Sequence, residues 1–324
     1  MRRRQFIAAL GGATAWPLIA RAQQTAIPVI GFVNSASPGG YPPVSAFVKG
    51  LGETGLMEGR DVLIEYRWAD GRYDQLPALV ADLIQRKVNI IAATSTPAAV
   101  AAKAATTTLP IVFTTSGDPV RLGLVSSLVK PGANVTGATQ LNVEIAAKRL
   151  ELMHEAIPSI TKIALLTNPP GPLAEPVSRD THAAAAAHGL KLDVVHASSE
   201  HDLDLVFKSL TALRAEGLVI GSDAFFSSRA SELGVLALRD RLPAIYQYPQ
   251  FTAAGGLMSY GGNVAESYRL AGIYVGRILK GEKPADLPVQ QVTKVELIIN
   301  LKTARTLGIT FPLPLLGRAD EVIE

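Results

Sequence analysis

The 324-residue chain contains no cysteine, so disulfides, thiolate metal sites and cysteine nucleophiles are excluded from the outset. Aromatic residues make up only 6% of it and charged residues 18%, whereas 48% is apolar. A core must therefore hold the fold without covalent staples, and the length exceeds that of a typical single core, which predicts two domains. Long apolar runs are missing too. The stretch from Phe6 to Ala20 is broken by Gly11, Gly12, Thr14 and Pro17, too short and interrupted to span a membrane. No dinucleotide-binding or P-loop glycine motif occurs, and no G-x-S-x-G elbow or H-E-x-x-H zinc motif. His154-Glu155 is followed by Ala156-Ile157-Pro158 and lacks a second histidine, while His182 and His188 are spaced onto different helix faces. Nothing is left to name as a nucleophile, a catalytic base, a cofactor site or a metal site, so no enzyme activity is expected.

What is present begins with an export address. Arg2, Arg3 and Arg4 form a charged head, a short apolar stretch follows, and Ala20-Arg21-Ala22 offers small residues at the two positions a signal peptidase reads. Cleavage after Ala22 is expected. Arg3-Arg4-Gln5-Phe6-Ile7 is similar to the twin-arginine export signal. The whole chain has 31 basic and 28 acidic residues, but four of the bases (Arg2, Arg3, Arg4, Arg21) and no acid lie in the leader. The remainder carries one more acid than it has bases, and its charge gives no case for a nucleic-acid partner. These features predict a soluble periplasmic protein with no membrane span.

Beyond the leader, short β-branched runs alternate with helical stretches. Pro28–Val33, Val62–Tyr66, Val88–Ala93 and Ile111–Thr114 read as strands, with helices over Pro43–Thr54, Leu76–Gln85 and Pro97–Ala105 between them. After Pro131-Gly132-Ala133-Asn134 the pattern restarts, with strands at Lys162–Thr167, Leu190–His196, Gly217–Gly221, Pro243–Tyr246 and Gly256–Tyr260. Such alternation predicts an α/β architecture of two Rossmann-like lobes, each a parallel sheet covered by helices. The expected division gives residues 23–140 and about 263–284 to the first lobe, and 141–262 and about 285–324 to the second.

In open parallel sheets, ligands bind beyond the carboxyl ends of the strands. The loops there are rich in hydroxyls and amides and poor in charge. They supply Asn34, Ser35 and Ser37, then Ser95, Thr96, Ser116 and Asp118, and from the second unit Asn168, Ser222, Asp223 and Tyr246. Backbone N–H groups at helix starts favour an anionic end, which Ser95, Thr96 and Ser116 would hold. Asn168, Ser222 and Asp223 would meet an amine or polar end, with Tyr246 against the body of the ligand. Each of these Ser, Thr and Asp residues is equally suited to capping a helix with no ligand present. The set suits a small zwitterion.

Pro28-Val29-Ile30-Gly31-Phe32, Ser116-Gly117-Asp118-Pro119-Val120 and Pro131-Gly132-Ala133-Asn134-Val135-Thr136-Gly137 together resemble the ABC-transporter substrate-binding proteins of the TrpX-like type. Gly255-Gly256-Leu257-Met258-Ser259-Tyr260-Gly261 and Lys280-Gly281-Glu282-Lys283-Pro284 extend the likeness over essentially the whole chain. The resemblance implies a type I periplasmic-binding fold, capture of a small solute such as an amino acid or related carboxylate, and delivery to an inner-membrane permease by a monomer. The chain departs from those lipoproteins in lacking a lipobox cysteine, and from the amino-acid binders in having no histidine in its first ligand loop. Two other readings stay open: a ligand sensor that hands its solute to a membrane receptor, and a cofactor-bearing periplasmic enzyme.

Overall fold

The computed structural model describes residues 27–38, 43–140 and 142–324. The export leader and its cleavage point lie outside the described residues. Five strands of the first sheet come from the amino-terminal half: β1 Val29–Asn34, β2 Leu63–Trp68, β3 Ile90–Ala93, β4 Ile111–Thr115 and β5 Val135–Thr139. The second half adds β6 Lys162–Thr167, β7 Lys191–His196, β8 Gly217–Ile220, β9 Ala244–Tyr246 and β10 Met258–Gly262. Three short or late strands follow: β11 Gln290–Gln291, β12 Val295–Asn300 and β13 Glu321–Ile323. One sheet runs β2-β1-β3-β4-β5-β11 and the other β7-β6-β8-β9-β10-β12-β13. All pairs are parallel except β10 with β12.

Burial on both faces explains the composition of the central strands. Five of the six residues of β1 (VIGFVN) are buried, as are all of β3 and β4. Helices cover these faces: α1 Val44–Glu53, α2 Leu76–Gln85, α3 Thr96–Ala105, α4 Ala146–Ala156, α5 Ala174–Ala187, α6 Glu200–Leu213, α7 Ala224–Ser228, α8 Ala230–Arg239, α9 Pro249–Ala253, α10 Val264–Leu279, α11 Leu301–Leu307 and α12 Leu313–Leu316. Among the described residues, no helix is long and apolar enough to cross a membrane.

Both sheets begin with the same order, in which the first two strands are exchanged relative to sequence. Each therefore has a topological switch point, between β1 and β3 in one and between β6 and β8 in the other. The chain passes between sheets three times: after β5, after β10, and between Gln291 and Val295. The last passage is later than the expected boundary near 285, because Gln290–Gln291 pairs with Ala138–Thr139 of β5 and holds that stretch to the first sheet.

Helix α10 returns to the first sheet and lies against α1 at very short range. A Cβ on Gly272 would stand 2.1 Å from the Phe47 carbonyl oxygen, and one on Gly50 would stand 1.9 Å from that of Arg269. Only glycine permits the two backbones to meet there. Gly272→Val should destabilise the protein by roughly 1–3 kcal/mol or more through overpacking, read as a lower midpoint in chemical denaturation. An unchanged midpoint would show that the helices do not meet this closely.

Candidate functional site

The two switch points face each other across a cleft between the lobes. From the first lobe, the β3–α3 loop brings Thr94, Ser95 and Thr96, and the end of β4 brings Thr115 and Ser116. From the second come Pro172, Leu173, Asp223 and Ser227. Ser95 sits at the N-cap of α3, and its Oγ accepts from Ser35 N at 3.1 Å and from Ser35 Oγ at 2.9 Å. The Thr96 and Thr115 hydroxyls are 2.9 Å apart, and Ser116 N donates to Thr96 Oγ1 at 3.2 Å. Among its described lining residues this inner cleft has one ionisable group, Asp223, and no basic side chain.

Asp223 is buried, and its Oδ1 accepts from Tyr73 Oη (2.8 Å), Asn168 Nδ2 (2.9 Å) and Phe225 N (2.8 Å). Desolvation raises the carboxyl from its ordinary 3.8 to about 6, although these donors pull it down. Burial raises Tyr73 well above its ordinary value, so it remains a phenol and a donor. Tyr73 follows β2 in the first lobe, so its bond to Asp223 closes the cleft from one lobe to the other. Two more contacts do the same: a Cβ on Gly117 would lie 2.9 Å from Leu173 Cδ2, and one on Gly71 would lie 3.6 Å from the Phe225 ring. The structure is a closed form. Its inner cleft has about 20 Å³ of free volume, room for a water molecule but not for a solute body.

The expected site residues divide into several groups. Ser95, Thr96, Ser116 and Asp223 line the inner cleft together, and Asn168 supports Asp223 from behind while its own Oδ1 is buried without a partner among the described residues. Asn34 does not reach the cleft: it is buried, its Nδ2 donating to the Thr94 carbonyl and hydroxyl and to Tyr268 Oη. Ser35 is the buried hydroxyl that braces Ser95, and Ser37, two residues on, is half-buried. Asp118 accepts from Val120 N at 2.8 Å, capping its own turn, and belongs to the outer mouth of the cleft. Ser222 is turned inward, donating to the Asn142 carbonyl and accepting from Arg149. Tyr246 offers no surface to a ligand: it is wholly buried, its hydroxyl 2.9 Å from Ser227 Oγ and its ring edge-on to Tyr248 and Phe251.

Two important residues escape a reading of the loops. Tyr73 follows the edge strand β2, in a loop with positive φ at Asp70 (51°) and Gly71 (81°), and that turn was an available signal. Arg149 lies on the buried face of α4, between Ala146 and Met153, where a basic residue breaks the apolar spacing. Its guanidinium donates to the carbonyls of Asn142 (2.9 Å) and Tyr260 (3.2 Å) and to Ser222 Oγ (3.0 Å). It has no carboxylate partner among the described residues, and burial lowers it to about 10.

The family model described as ABC transporter substrate binding protein matches residues 18–323, and the chain belongs to that family. The chain is 27% identical over 262 residues to a tyrosine-binding protein of Clostridioides difficile, covering 81% of this chain and 75% of that one. Its fold, that of the type I periplasmic binding proteins, superposes with a TM-score of 0.80 on an ABC domain from Streptococcus pneumonia in complex with L-Trp, at 24% identity, covering 91% of this chain and 99% of that one. Against a ligand-free, open substrate-binding protein with adhesive properties from Clostridium difficile, the TM-score is 0.61 at 25% identity, covering 92% and 99%.

The raised Asp223 carboxyl has a consequence for stability. Below its unfolded value of 3.8 the group is neutral in both states, and as pH rises toward about 6 the unfolded chain ionises it while the folded chain resists. Stability is lost across that window. Asp223→Asn should therefore be more stable than the parent at pH 7 and no more stable near pH 3.5, measured as Tm against pH. A parent with the smaller Tm deficit at pH 7 would place the ionised carboxylate in a favourable site instead.

Proposed function

We propose that this protein is the periplasmic solute-binding component of an ABC importer and that it captures an amino acid in the inter-lobe cleft. The single observation that carries the solute class is Asp223, a buried carboxylate without a basic partner among the described residues, opposite hydroxyls at the start of α3. Asp223 receives the ammonium. Ser95, Thr96 and Ser116, with the positive end of the ten-residue α3, receive the carboxylate. The tyrosine-binding relative supports an aromatic amino acid within that class.

Capture works by differential closure. The ammonium partner is on the second lobe and the carboxylate partners are on the first, so a zwitterion that touches both shifts the equilibrium toward the closed form. The free volume of the closed cleft means that the lobes part to admit the solute. The lobes then shut on the solute, with its ammonium on Asp223 and the cleft held wider than when Tyr73 alone closes it. Export through the twin-arginine route places this cycle in the periplasm.

Titration calorimetry with L-tyrosine and L-tryptophan tests the reading directly. Binding is expected, and Asp223→Ala should weaken it on the order of 10–100-fold, the range for removing a hydrogen-bonded charged partner. Affinity should also rise about tenfold between pH 5 and pH 7 as Asp223, near 6, ionises. Unchanged affinity in Asp223→Ala would remove the ammonium role. Replacing Arg3 and Arg4 together with lysine should leave the precursor in the cytoplasmic fraction. Export that survives this change would exclude the twin-arginine route.

A further inference from the structure

Next to the inner cleft, and sharing Pro172 and Leu173 with it, is a larger chamber of about 270 Å³. Leu122 and Gly117 wall it from the first lobe, Val143 from the crossing segment, and Leu173 and Pro176 from the second lobe. The inner cleft has the charge and hydroxyls to hold an amino-acid head but no room for a side chain. The chamber has the reverse: apolar walls and volume. A dry cavity of roughly 150 Å³ is sufficient to hold benzene, so a phenol or indole group fits in this space. Because both lobes build it, an occupant gains contacts only when the lobes close.

The charges at the chamber's mouth are mostly satisfied. Arg179 pairs with Glu175 and Asp180, and Asp118 caps its own turn and faces Arg121 at 3.6 Å. Glu144 differs: among the described residues it has no cation at ion-pair distance. Its Oε1 accepts from Asp118 N at 3.0 Å, and although the side chain is exposed, desolvation pushes its carboxyl above the ordinary value.

Building on the amino-acid reading above, we infer that the chamber receives the solute's side chain and that Glu144 favours one whose far end donates a hydrogen bond, a phenol or an indole N–H over a plain phenyl. The amino-acid head lies inward and the apolar body outward, with the acid waiting at the mouth for the distal donor.

The experiment compares Kd for L-tyrosine and L-phenylalanine in the full chain and in variants whose folding is checked by Tm. The parent should prefer tyrosine about tenfold. Glu144→Ala should leave phenylalanine within about twofold and bring tyrosine down to it. Leu122→Trp, which fills the chamber, should weaken both by more than tenfold, and Leu122→Ala serves the same purpose, with a loss of about threefold, if the larger side chain prevents folding. Equal affinities in the parent, or a tyrosine preference that survives in Glu144→Ala, would overturn the role of Glu144. Unchanged binding of both solutes in a folded Leu122 variant would overturn the placing of the side chain. A parent that binds neither solute would instead refute the amino-acid reading itself.

Discussion

Asn142 lies where the chain leaves β5 for the second sheet, and Tyr260 lies where β10 runs past the end of β9, so both carbonyls need donors outside the ladder. Arg149 supplies them. Its planar guanidinium can offer five N–H groups in a fixed fork, enough to hold the segment after β5, strand β10 and Ser222 from one position on α4. Around it Asn142 Oδ1 accepts from Gly262 N, Asn142 Nδ2 donates to Gln140 Oε1, and Gln140 Nε2 reaches Ser267 on α10. Burying a cation with no carboxylate is expensive, and desolvation lowers the guanidinium from its ordinary value. The benefit is geometric. The same group that holds Asn142 and Tyr260 also fixes Ser222, and the next residue is Asp223.

The second lobe thus places a buried cation and a buried acid on either side of one loop, each shifted against its charged form by burial. Neither neutralises the other. With no solute in the cleft, Tyr73 supplies a polar donor to Asp223, which is weaker compensation than a cation would be. An ammonium group would complete what Tyr73 begins, and that difference in compensation is the driving force a closing mechanism requires. Gly171 keeps the approach open: a Cβ there would stand 2.4 Å from Asp223 Oδ2.

The long strands could be read directly from β-branched runs, and the helices from their spacing, because burial on both faces imposes those patterns. Val135–Thr139 (VTGAT) was not legible as a strand. Its composition is weak, and Gly137 is there because a Cβ would fall 2.2 Å from the Phe113 carbonyl oxygen. Gln290–Gln291 and Glu321–Ile323 are too short to carry any periodicity. Within the site, the sheet-edge rule located the loops, and the structure brings Ser95, Thr96, Ser116 and Asp223 together. It could not tell which side chains of those loops turn inward. Tyr246 ends a strand just as a ligand-facing residue would, yet its partners, Ser227 and Tyr248, come from tertiary packing. Tyr73 and Arg149 act across lobes and across segments, and no local spacing encodes such contacts.

The order of chemistry along the cleft is polar at depth, apolar through the chamber and charged at its mouth, which decides how water leaves. A solute that enters head first carries its charged end past Leu122 and Leu173 to Asp223 and the start of α3. Its own body then fills the wide chamber behind it. Charge pairing at depth is screened while the lobes are open and grows as water is displaced, since Coulomb attraction strengthens as the local dielectric falls. Closure and pairing therefore reinforce each other only for a solute that has both a zwitterionic head and an apolar body. A bare head would leave the chamber wet and the pair screened, and an apolar body without a head would leave Asp223 with Tyr73 alone. On the proposed function, selection for both parts at once would follow from the placement of one carboxylate below two leucines, before any distal contact is counted.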